Sequence, residues 1–291
     1  MRPLLVTTRN ATFQQWEALL TNRTRRRRSG EFVVQGVRPI SLAVQHGWTV
    51  RAILHGADRR LSQWAGEMVD RATAAGAQEV VMGEELLREL GEKDEQAPEL
   101  VAIVGLREDR IERALPDDLD LAVVLDRPTS PGNIGTVLRS ADAFGAQGVV
   151  VSGHAADPYD PRCVRASTGS LLAVPVVRID SPATVLDRVA ALRRLRPGLQ
   201  VVATDERNAV DVWDHDLTPP TVILTGNETT GLSAAWREAG DTGIRIPMAG
   251  SASSLNMAAA TTAVLYEIGR QRAARSSRPG NWSLERPVPR T

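Results

Sequence analysis

The chain has 291 residues, 42% hydrophobic and 4% aromatic, and its 35 basic and 35 acidic residues cancel to a formal charge of zero. That length suggests two domains, and the balanced charge means that any nucleic-acid partner would be met by local basic patches rather than by a whole-molecule field. One cysteine (Cys163) and four scattered histidines exclude an internal disulfide or a cysteine-cluster zinc site and point to no metal, while no apolar run approaches the ~20 residues of a membrane span.

Phe13, Trp16, Leu19 and Leu20 recur at helical spacing and predict a helix over 10–22. Residues 23–28 then hold five arginines in six positions, read either as a solvated charged turn or as a contact for nucleic-acid phosphate. Strands are predicted at 32–34, 48–54, 79–82 and 100–106, with helices at 38–46, 61–75 and 84–90. That alternation describes an α/β domain over 1–106. A charged, proline-containing stretch at 107–120 reads as a linker.

From Leu121 the alternation resumes, with more apolar strands of the parallel type at 121–125, 148–151, 174–178, 200–203, 221–225 and 244–246. Helices are predicted at 134–144, 182–195, 232–239 and 255–273, giving a second domain over 121–275. Residues 276–291 are rich in Pro, Ser and Arg and read as a disordered tail. The absence of a leader-type or membrane-spanning segment makes the expected location cytoplasmic, with no membrane partner.

Three segments stand out: 123–146, 221–236 and 244–267. Each passes from an apolar strand through a Gly-, Asn- or Ser-rich turn into a helical stretch, the arrangement by which α/β proteins offer backbone amides to a ligand. Neither a GxGxxG fingerprint nor a P-loop is present, which disfavours a Rossmann-type oxidoreductase. The GxxG of Gly132-Asn-Ile-Gly135 is the signature of KH loops, but it follows a strand here rather than joining two helices. Singly, Arg139 reads as a surface arginine, Asn227-Glu228 as a turn, and Ser254-Leu255-Asn256 as a helix N-cap.

As an ordered set they read differently. Asn133…Arg139, Gly226-Asn227-Glu228-x-x-Gly231 and Ile246-Pro247-Met248…Ser254-Leu255-Asn256 resemble the three motifs of the SpoU/TrmH-type methyltransferases of the SPOUT superfamily. The first half, through Phe32-Val-Val-Gln-Gly-Val-Arg38, resembles the ribosomal-protein-like substrate-binding domain of such enzymes, with Gln35 where the family often has Glu. Identities outside the motifs, at 9–16, 36–44, 126–135 and 153–156, resemble the avilamycin-resistance branch, whose members act on 23S rRNA.

The resemblance implies a parallel α/β domain closed by a trefoil knot, a homodimer, and methyl transfer from S-adenosylmethionine to a ribose 2′-hydroxyl of 23S rRNA, uridine being plausible. By residue, it implies catalytic roles for Arg139, Asn133, Glu228, Ser254 and Asn256. Cofactor contacts fall on Thr204, Gly226, Asn227, Ile246, Met248 and Leu255. RNA contacts are expected from Arg23, Arg25, Arg26, Arg27, Arg28, Arg38 and Arg165, with a structural salt bridge the alternative for Arg165. Because a guanidinium stays protonated, Arg139 is read as a phosphate-binding and orienting residue rather than a base. A tRNA ribose methyltransferase and a non-catalytic RNA-binding protein of the same fold are the competing readings.

Overall fold

The computed structural model describes residues 2–57, 60–92, 97–205 and 209–275. The first domain runs β1 (Leu4–Val6), α1 (Ala11–Thr21), α2 (Arg23–Ser29), β2 (Glu31–Gln35) and α3 (Val37–Gln45). It continues with β3 (Val50–Gly56), α4 (Gln63–Ala74), β4 (Gln78–Met82), α5 (Glu84–Leu90) and β5 (Leu100–Gly105). The strands form a sheet in the order β1-β4-β3-β5-β2, in which β5 runs antiparallel to both neighbours.

The arginine run is helix α2 rather than a turn. Asn22 caps it by accepting from Arg25 N, and Gly30, at φ 67°, ends it in the left-handed region that glycine tolerates.

The second domain begins earlier than expected. Helix α6 (Ile111–Ala114) lies inside the stretch read as a linker, and Ala114, Leu115 and Leu119 are completely buried. A Cβ on Gly148 would stand 2.3 Å from Ala114 O, so this segment packs directly on the following sheet. It is a packed connection because its apolar residues interleave with its charges.

Then come β6 (Leu121–Asp126), α7 (Pro131–Ala143), β7 (Gly148–Ser152), α8 (Pro161–Ser167), α9 (Ser170–Ala173) and β8 (Val176–Ile179). After these follow α10 (Pro182–Leu195), β9 (Gln200–Thr204), β10 (Val210–Asp211), β11 (Thr221–Thr225), α11 (Ala234–Ala239), β12 (Thr242–Arg245) and α12 (Met257–Arg275). The sheet order is β10-β12-β9-β11-β6-β7-β8, and every pairing is parallel. The continuous apolar strands follow from burial on both faces.

This order sets the C-terminal ends of β12, β9, β11 and β6 side by side, so the loops that leave them share one rim of the sheet. Helix α7 packs closely on α8, where a Cβ on Gly135 would lie 2.5 Å from Cys163 O and 2.8 Å from Ala166 Cβ. Gly135→Ala should therefore cost about 1–3 kcal/mol by overpacking, read as a lower thermal midpoint.

The two domains share a core. Phe32 stacks near both Trp48 and Tyr159, and Trp48 Nε1 donates to Leu172 O at 2.8 Å. Among the described residues, no helix is long and apolar enough to cross a membrane.

Candidate active site

A cavity of about 400 Å³ opens at the shared rim, within the range of small-molecule sites. Thr204, Gly226, Asn227, Ile246, Met248 and Leu255, six positions expected at the cofactor, all line it, as do Glu228 and Ser254. Its apolar wall includes Leu232, Ile244, Met257 and Val264, and the Arg237–Asp205 ion pair flanks it. Residues 246–255 make no hydrogen bond among the described residues, so their backbone groups are available to a ligand. A pocket with an apolar floor and one loop of unused amides suits a nucleoside that carries a charged side arm.

Gly226 has a prior structural task. A Cβ there would lie 2.4 Å from Gly231 C and Leu232 N, so the loop cannot close on itself with a larger residue. The Asn227 side chain is likewise occupied: its Nδ2 donates to Arg127 O at 2.6 Å, and its Oδ1 accepts from Thr229 N and Thr230 N. Thr204 lends its hydroxyl to Leu224 O. Any cofactor contact from Asn227 or Thr204 must therefore use the remaining atoms.

At the mouth of the cavity three polar side chains form one directed chain. Glu228 accepts from Thr129 N at 3.0 Å, Thr129 Oγ1 at 2.9 Å, Ser130 N at 3.3 Å and Asn133 Nδ2 at 2.9 Å. Asn133 Oδ1 then accepts from Asn256 Nδ2 at 3.2 Å, and Asn256 Oδ1 accepts from Ala258 N at 2.9 Å, capping α12. The orientation of each amide follows from the first acceptor, because an ionised carboxylate can only accept. One end of the Asn256 amide caps the helix, as the N-cap reading expects, and the other reaches Asn133.

Burial pushes the Glu228 carboxyl up, but the donors on Asn133 and Thr129 outweigh this and hold it below its ordinary value of 4.5. The sign follows from a depressed folded-state value. The stabilisation is complete above the ordinary carboxylate range and is lost as pH falls through the folded value. The melting-temperature gap between wild type and Glu228→Gln should thus be flat from about pH 5 to 8 and shrink below about pH 4.

Arg139 is set apart from this chain. It is exposed on α7, lies off the cavity wall, and makes no side-chain hydrogen bond or ion pair among the described residues. Among the described residues, no hydrogen bond within the chain joins it to Asn133, Glu228, Ser254 or Asn256. Helices α7 and α12 are joined nearby by Ser140 Oγ and Thr262 Oγ1, 2.6 Å apart.

The arginines expected at RNA divide into groups. Arg25, Arg27, Arg28 and Arg38 are exposed, and their guanidinium groups have no partner among the described residues. Arg26 is 2% exposed and ion-paired with Asp157, so it is withdrawn from the RNA contacts: no phosphate can reach it. Arg23 is half-buried and donates to Ala155 O. Arg165 pairs with Glu92, the structural alternative for that residue.

Sequence reasoning missed Asp126 and Arg127, which clamp the first two loops together. Asp126 Oδ1 accepts from Arg127 Nε at 2.9 Å and its Oδ2 from Ser233 N at 2.7 Å, while Arg127 Nη2 reaches Gly231 O at 3.3 Å. An acid–base pair directly after an apolar strand was the available signal. Thr129 carried none.

Residues 10–102 match the SpoU L30e-like domain, and residues 120–266 match the SpoU rRNA Methylase family. The chain belongs to the SpoU methylase family. This SpoU methylase is 55% identical over 267 residues to the 23S rRNA (uridine(2479)-2′-O)-methyltransferase of Streptomyces viridochromogenes, covering 92% of each chain. It is also similar to the solved SpoU methyltransferase AviRb of that organism in complex with AdoMet, with a TM-score of 0.83, 52% identity, and coverage of 91% of this chain and 100% of that one. A third relative, the AdoMet-bound rRNA methyltransferase of Sinorhizobium meliloti, gives a TM-score of 0.82 at 30% identity, covering 91% and 97%.

Proposed function

We propose that this SpoU methylase transfers a methyl group from S-adenosylmethionine to a ribose 2′-hydroxyl of 23S rRNA, at a uridine, and that it thereby protects the ribosome from an antibiotic. The observation that carries the reading is the Glu228–Asn133–Asn256 chain at the mouth of a nucleoside-sized cavity. Binding alone would not require such a bracket.

When bound, S-adenosylmethionine supplies a methyl carbon on a sulfonium. Backbone groups of Gly226, Ile246 and Leu255 would hold the adenosine part, with Met248 closing over it. The residues at the mouth then act by position, since in-line approach of the oxygen to the methyl carbon accounts for much of such an acceleration. The oxygen–carbon bond forms as the sulfur–carbon bond breaks, and the hydroxyl proton leaves to phosphate or water. Glu228, held ionised by its donors, orients Asn133, and Ser254 and Asn256 face the acceptor. Arg139 binds the target phosphate.

A homodimer belongs to the same reading. Among the described residues Arg139 has no intrachain partner, and Tyr266 of α12 is 57% exposed on a helix packed against α7. The proposed domains are 1–106 for RNA and 121–275 for methyl transfer, the latter extended by the packed segment 107–120, with the trefoil knot in the second and a cytoplasmic location for the whole. The exposed arginines of α2, with Arg38, meet rRNA phosphate.

The test is incubation with labelled S-adenosylmethionine and separate pools of 23S rRNA, 16S rRNA and tRNA. Label in 23S rRNA is expected. Label confined to tRNA would favour the tRNA reading, and label in none would leave only an RNA-binding role.

A further inference from the structure

Helix α2 is fixed to the catalytic sheet by its own buried arginine. Arg26 Nε donates to Asp157 Oδ2 at 2.8 Å and Nη1 to Leu19 O at 2.6 Å, while Nη2 lies 3.7 Å from Asp160 Oδ2. Asp157 and Asp160 belong to the loop between β7 and α8, and β7 is the direct neighbour of β6. On the same side of the helix, Arg23 Nη1 donates to Ala155 O at 2.6 Å.

From there the connection reaches the active site within a few residues. Ala156 N donates to Pro128 O at 2.8 Å, and the next residue, Thr129, donates its N–H to Glu228 at 3.0 Å. Helix α2 is therefore joined through the loop after β7 to the loop that holds Glu228 and Asn133. Its other face presents Arg25, Arg27 and Arg28 to solvent, their guanidinium groups unpartnered among the described residues.

A fully buried ion pair is a poor way to glue two domains, because desolvation consumes much of the attraction, and an apolar contact would serve as well. What it adds is direction: the planar guanidinium satisfies one carboxylate and one helix-end carbonyl in a single geometry.

We propose that Arg26 is a positioning residue for the RNA substrate, locking the exposed arginines of α2 in fixed register with Asn133 and the cavity. Phosphates gripped by Arg25, Arg27 and Arg28 then place one particular ribose at the methyl donor. This rests on reading those exposed arginines as phosphate contacts, and the experiment separates the two claims.

Three variants are compared with wild type for S-adenosylmethionine affinity, salt dependence of 23S rRNA binding, turnover and the map of methylated nucleotides. In Arg25→Ala/Arg27→Ala/Arg28→Ala, RNA binding should weaken, and the salt slope should fall by about 0.7–0.9 for each arginine that grips a phosphate in wild type. In Arg26→Met/Asp157→Asn, which leaves no buried charge unpaired and keeps the Tyr159 N bond to position 157, the salt slope should stay as in wild type. Turnover there should drop about tenfold, with label spreading to neighbouring nucleotides, while cofactor affinity stays within about twofold. Arg23→Met, at a half-buried position with no ion pair among the described residues, should show the same redistribution to a smaller extent. Wild-type turnover and a wild-type map in both the double variant and Arg23→Met would overturn the positioning role. An unchanged salt slope in the triple variant would overturn the phosphate reading beneath it, and neither result bears on whether methyl transfer occurs.

Discussion

Replacing Glu228 with alanine is expected to lower turnover on 23S rRNA by about 10²–10³-fold, with a much smaller change in S-adenosylmethionine affinity. The carboxylate accepts from Thr129, Ser130 and Asn133 at once, and it dictates which way the Asn133 and Asn256 amides face. Its loss frees the loop after β6 from the loop after β11 and removes the acceptor that orients the amide chain. Hydrogen bonds to charged groups contribute about 1.5–3 kcal/mol each, so two of them are enough for a loss of this size. Single-turnover kinetics beside calorimetric cofactor titration separate the two effects. A variant with near-wild-type turnover would remove Glu228 from the machinery and leave it a loop anchor.

The second large effect is on stability. Arg26→Met alone leaves Asp157 as a buried carboxylate without its cation, which costs about 3–5 kcal/mol. Adding Asp157→Asn removes that charge and should restore most of the loss. Chemical denaturation of the two variants beside wild type measures this directly. If the single variant were as stable as wild type, the pair would not be buried and ionised in solution.

Much of the fold was legible in the residues because the catalytic sheet is apolar on both faces. Its strands stand out as apolar, β-branched-rich runs such as Leu-Ala-Val-Val-Leu at 121–125 and Thr-Val-Ile-Leu-Thr at 221–225, and Gly or Pro marks the turns between them. The amphipathic helices α1 and α4 were legible through their spacing. Helix α2 was not: five of its seven residues are cationic, leaving no apolar period, and only Asn22 and Gly30 betray its ends. Segment 107–120 misled for the opposite reason, as its charges hid Ile111, Ala114, Leu115 and Leu119, which enter the core.

In the site, the motifs located the cavity wall and the Glu228–Asn133–Asn256 chain. What they could not give was the division of labour within the arginine run. Whether an arginine faces solvent or a buried carboxylate depends on a partner distant in sequence, and Asp157 carries no local mark. Asn227 shows the same limit from the other side. Its motif position suggests the cofactor, yet its side chain is spent on Arg127 O and on its own turn.

The central claim is that the acceptor oxygen is a ribose 2′-hydroxyl of 23S rRNA. Alkaline cleavage tests it most directly, because the reaction needs a free 2′-hydroxyl and halts wherever that oxygen carries a methyl group. Treated 23S rRNA should gain a single gap in its alkaline ladder, at a uridine, and Glu228→Ala should leave the ladder unbroken. Label incorporated into the RNA with no gap in the ladder would place the methyl group on a base and contradict the account.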